Sequence, residues 1–155
     1  MTWIVDLSET MSGWIALDGG PRDSLRLELV ASARLWSSPI APRPFKGTVW
    51  LAATKETLPA TGTLALRPSG AVYDFSFTSA QWGALRCAGR KHYTLRGLRE
   101  SLVTCPVHLY RGQDCIGAGE IKYREPIWRF ALESLRLRNV SADTIAATNA
   151  QGRLG

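Results

Sequence analysis

Histidine and cysteine are scarce in this chain, two and three residues among 155. Cys87, Cys105 and Cys115 are odd in number and too few for a disulfide framework, so reduced thiols are expected. No apolar run approaches the ~20 residues that a membrane-spanning helix requires. The opening Met1-Thr2-Trp3-Ile4-Val5-Asp6 has no basic region and soon reaches an acid, so no signal peptide is expected. These absences point to a cytoplasmic protein. Internal repeats, linkers and Gly-rich phosphate loops are missing too; Gly117-Ala118-Gly119 matches no complete phosphate-binding pattern and suits a bulge or a close backbone approach. No cofactor is expected.

What is present is ordinary for a globular domain: 45% hydrophobic and 21% charged residues. The length fits one domain with its own core, here residues 1–139, with 140–155 as a loosely held tail. The net charge is +6, and fifteen arginines stand against four lysines. Such a balance suits nucleic acid, an anionic surface or an acidic partner, but the charges are spread along the chain, as on a solvated face.

Period-two alternation dominates, interrupted by turn residues. Leu25 to Leu29 alternates cleanly and runs on to Trp36, and Phe45 to Ala53 follows a Pro-rich stretch. Thr63 to Arg67 stops at Pro68-Ser69-Gly70, and Val72 to Thr78 sets Tyr73, Phe75 and Phe77 on one face. Met11 to Leu17, Leu85 to Leu95, Val103 to Tyr110 and Cys115 to Tyr123 read as further strands, with Pro106 marking an edge or a bulge. Glu125 to Leu135 reads either as one short helix or as a kinked strand. The pattern predicts an all-β antiparallel barrel or sandwich of about eight to ten strands, with at most one short helix.

Candidate chemistry is sparse. Cys105-Pro106-Val107-His108 has the residue types of a metal pair, but positions three apart on a strand face opposite ways. The alternation places all three cysteines beside core aliphatics, as buried thiols without metal. His92 and His108 fall on the other face, and neither has a nucleophile at a defensible spacing. Arg86, Arg90, Lys91, Arg96 and Arg99 form the densest cluster of one sign, a surface for an anionic face or a partner enzyme. The motifs of an RNA-binding sheet or a DNA-reading helix are lacking, so nucleic acid is not the expected partner.

Aromatic bulk is the more telling feature. Six tryptophans are many for this length. Trp14, Trp36 and Trp50, with Tyr73, Phe75 and Phe77, supply either core or the wall of an apolar pocket. Glu9 and His108 are the polar groups available to orient a ligand, and Glu9 is the first acid to test for turnover.

Leu7-Ser8-Glu9-Thr10-Met11-Ser12-Gly13 resembles the x-x-Glu-x-Met-x-Gly motif of an accessory β-domain associated with bacterial GMC-type, cholesterol-oxidase-like oxidoreductases and α/β hydrolases. Phe45-Lys46-Gly47-Thr48-Val49, His92 to Gly97 and Tyr110 to Ile121 resemble later pieces of that domain in the same order. Leu7 replaces the family's first aromatic, and Glu100 to Thr104 replaces its acidic stretch; flavin-binding and hydrolase segments are absent. The resemblance implies a lipid- or sterol-associated module without redox or esterase activity. Three readings follow: a β-domain that binds an apolar small molecule or lipid, beside a lipid- or sterol-modifying enzyme; a β-barrel cyclase or isomerase; and a structural interaction module with a filled core.

Overall fold

The computed structural model describes residues 2–34, 36–38, 40–93, 95–96, 104–123 and 135–140. Nine strands follow one another: β1 (Thr2–Leu17), β2 (Asp23–Arg34), β3 (Arg43–Leu51), β4 (Glu56–Arg67), β5 (Gly70–Ser79), β6 (Gly83–Arg90), β7 (Thr104–Arg111), β8 (Asp114–Tyr123) and β9 (Leu135–Val140). Each of the first seven pairs antiparallel with the next, and β1 closes the sheet by pairing with both β2 and β8. The result is an up-and-down barrel rather than a sandwich. The described residues include no helix. β9 is added outside the closed ring, along the first third of β1, where Leu7 pairs with Leu135 and Thr2 with Val140. The 125–135 segment, read as helix or kinked strand, lies outside the described residues except for Leu135.

Alternation becomes barrel wall directly. In β2, Leu25, Leu27, Leu29 and Ala31 are buried, and Arg26, Glu28, Val30 and Ser32 face solvent. In β5, Ala71, Tyr73, Phe75, Phe77 and Ser79 point inward. The centre is filled by Met11, Ile15, Leu27, Val49, Phe75, Leu109 and Ile121. An eight-stranded barrel is just wide enough for its side chains to fill it or to leave room for one small ligand.

Two expectations are corrected by register. Cys87 and Cys105 are buried, but Cys115 is exposed. The β7–β8 hairpin pairs Tyr110 with Cys115 and Leu109 with Gly117, so Ile116 is an extra residue in a bulge. The bulge reverses the alternation and turns Cys115 to the outer face that Tyr110 occupies. Pro106 does not place β7 at a sheet edge, because β7 is paired on both sides. Pairing with β6 begins only at Val107, however, so Pro106, which has no N–H, lies just outside that ladder.

Candidate functional site

The connections divide between the two ends of the barrel. The β1–β2, β3–β4, β5–β6 and β7–β8 turns lie at one end, and the β2–β3, β4–β5 and β6–β7 connections at the other. The second end carries the polar interior. There β1 contributes Glu9 and β5 contributes Tyr73, with Lys91 just past the end of β6; their exposures are only 7%, 1% and 5%. The Tyr73 hydroxyl donates to Glu9 Oε2 at 2.9 Å. The Lys91 ammonium lies 5.4 Å from the centre of the Tyr73 ring.

Local sequence holds this arrangement. Leu85, Cys87 and Gly89 face inward along β6, and the same period brings Lys91 inside. Beyond the strand, the Lys91 N–H donates to the Ala71 carbonyl at 2.8 Å and the Tyr93 N–H to the Ser69 carbonyl at 3.2 Å. This close approach needs Gly70, which has φ 139°; a Cβ there would strike the Lys91 carbonyl.

Burial raises the Glu9 carboxyl above its ordinary value of 4.5, with the nearby Lys91 charge and the Tyr73 hydrogen bond opposing it. Burial, followed by the charge of Glu9, holds the Tyr73 phenol well above the usual range. The Cys105 thiol is pushed up to about 12, chiefly by burial, with Lys91 lowering it and Glu9 raising it. Cys87 rises to about 12 for the same first cause, and both thiols are inert by this criterion.

A carboxyl raised in the fold favours its neutral form. Its contribution to stability is therefore present below the ordinary carboxylate range and lost as pH rises through the folded value. Glu9→Gln keeps an acceptor for Tyr73 and removes that titration. The melting temperature of the variant relative to wild type should accordingly climb over a window that opens at about pH 4.5 and extends upward. A difference that stays flat across this window would show that Glu9 is not held neutral by burial.

Other predicted positions are dispersed. Trp14 and Trp50 lie on the outer wall, under the guanidinium groups of Arg22 at 3.9 Å and Arg26 at 5.6 Å. Trp36 is exposed in the β2–β3 connection. Phe75 and Phe77 belong to the core, and His108 is exposed on the outer face of β7. Thus Glu9 and Tyr73 come together, whereas His108 and the three tryptophans stand apart from them. Lys91 is a correction: the sequence groups it with the basic surface, yet it faces inward. Arg86 is tied to Asp74 at 2.9 Å, Arg90 and Arg96 are exposed, and Arg99 lies outside the described residues.

Among the described residues, no three His, Cys, Asp or Glu side chains are grouped to hold a metal ion. A groove of about 560 Å³ opens on the wall of β4–β7, lined by residues including Pro59, Thr61, Ser76, Arg86 and Tyr110. It is open to solvent, unlike the buried Glu9–Tyr73–Lys91 group. Compared with protein families, curated proteins and solved structures, the chain matches none.

Proposed function

We propose that this barrel binds an apolar small molecule or lipid bearing one polar end, which meets Glu9, Tyr73 and Lys91. One observation carries the reading: a carboxyl, a phenol and an ammonium are buried together at one end of an apolar interior. Burying such groups costs several kcal/mol unless they are compensated. Lys91 can donate to an anionic or carbonyl head group, while Glu9 can accept from a hydroxyl. Buried apolar side chains occupy the middle of the barrel, so the polar end of a ligand belongs at the cluster end. Glu9, Met11 and Gly13 carry the resemblance to a lipid-associated accessory domain, and Glu9 and Met11 are buried inside. A role beside a lipid- or sterol-modifying enzyme is part of this proposal.

A second reading rests on the raised Glu9 carboxyl. A neutral acid beside Tyr73 could protonate an apolar substrate, as an isomerase or cyclase requires. Binding comes first in either case. Titration calorimetry with a long-chain fatty acid and with a sterol should show saturable binding, and each ligand should raise the melting temperature. Lys91→Met should weaken the fatty acid roughly tenfold or more, the worth of one charge-assisted hydrogen bond, and affect the sterol less. Absence of saturable binding for both ligands overturns the binding reading. Turnover lost in Glu9→Gln with binding retained would establish the enzyme.

A further inference from the structure

The two ends of the barrel differ in surface chemistry. The end with the β1–β2, β3–β4, β5–β6 and β7–β8 turns mixes Asp18, Glu56 and Asp114 with Arg22, Lys55 and Arg111. At the other end, Arg34 closes β2, Arg67 closes β4 and Arg90 closes β6, all exposed. None of the three forms an ion pair among the described residues. Asp6, on the β1–β9 ribbon at this end, is already engaged by Arg138 at 2.7 Å, which also holds its carboxyl below the ordinary range.

Large apolar side chains gather at that same end. Trp36 is 88% and Leu95 97% exposed, and Ile40 is also exposed; they sit on the β2–β3 and β6–β7 connections. Scattered surface hydrophobes need no explanation, but these lie in connections at the same end at which Arg34, Arg67 and Arg90 close their strands. A tryptophan at a water–hydrocarbon boundary places its ring in the interface and its N–H in the polar layer. Arginines around such anchors meet lipid phosphates. Nucleic acid would take the arginines but not aliphatic anchors such as Leu95 and Ile40.

We propose that this end of the barrel docks on an anionic lipid bilayer, with Trp36, Ile40 and Leu95 entering the interface and Arg34, Arg67 and Arg90 facing the head groups. The proposal does not require a ligand inside the barrel. It adds a route: the buried Glu9–Tyr73–Lys91 group lies at the end that faces the membrane.

Sedimentation of the full chain with vesicles tests it, using phosphatidylcholine alone and phosphatidylcholine with about one-third phosphatidylglycerol. Wild type should sediment with the anionic vesicles and much less with the neutral ones, and moderate salt should weaken it. Replacing Arg34, Arg67 and Arg90 together by Gln should lower partitioning roughly a hundredfold, at about fivefold per surface charge. Trp36→Ser with Leu95→Ser should lower it by tenfold or more. Replacing Arg22, Lys55 and Arg111 by Gln at the opposite end should change little. Each variant alters exposed side chains, and circular dichroism with thermal melting confirms that it folds. No sedimentation with anionic vesicles overturns the proposal, as does equal loss from the two ends. Retardation of a single-stranded oligonucleotide without vesicle binding would reassign the surface to nucleic acid.

Discussion

Gly13→Ala should cost the barrel about 4 kcal/mol, a large part of the roughly 5–15 kcal/mol that holds a domain together. Gly13 on β1 pairs with Ile121 on β8, one of the pairs that closes the barrel. A Cβ there would run into the Glu120 carbonyl and the Ile121 Cα, both backbone atoms. Backbone cannot swing aside as a side-chain tip can. β1 and β8 must therefore separate, which removes ladder hydrogen bonds worth about 1 kcal/mol each and opens the packed interior. Gly112 provides the contrast. It has φ 62° in the β7–β8 turn, and a Cβ there would meet nothing within 4 Å, so alanine faces only left-handed strain of about 1 kcal/mol. Urea denaturation of both variants measures the difference. Equal small losses would mean that the β1–β8 approach is looser than its geometry.

That contrast bears on what a sequence exposes. Alternation in Leu25 to Leu29 and in Tyr73 to Phe77 assigns faces because period two has only two solutions. Closure does not follow from it. β1 meets β8 across about a hundred residues, and no local pattern announces that pairing. The bulge at Ile116 is likewise silent, and it reverses the side assigned to Cys115. Lys91 is legible in principle: Leu85, Cys87, Gly89 and Lys91 keep one period. Its charge, and the arginines around it, favour the surface instead. Glu9 stands out in the sequence as the acid to test, but its partner Tyr73 lies 64 residues away, and only the closed barrel brings them together. Tryptophan misleads differently. Trp14 and Trp50 are bulky, yet they lie outside beneath arginines, because a ring packs as well under a guanidinium stem as within a core.

Phe75→Ala should destabilise the barrel by about 3–5 kcal/mol, the usual loss for a fully buried ring. Phe75 lies 6.3 Å from the rings of both Phe45 and Phe77. It pairs with Gly62, where a Cβ would collide with the backbone of β5, so the ring has no larger neighbour across that pair to move into its place. Relaxation is therefore limited, and the truncation should leave a dry void in the middle of the barrel. Small apolar compounds such as benzene or indole should occupy it and raise the melting temperature of Phe75→Ala, with little effect on wild type. This separates core from ligand wall. If Phe75 is core, a long-chain fatty acid that meets the Glu9–Tyr73–Lys91 group should bind wild type and variant with similar affinity, because its contacts lie at the barrel end. If truncation costs less than about 1 kcal/mol and strengthens fatty-acid binding severalfold, the ring borders space that a ligand already uses. The site then extends from Glu9 down the middle of the barrel, and the aromatic face of β5 is its wall.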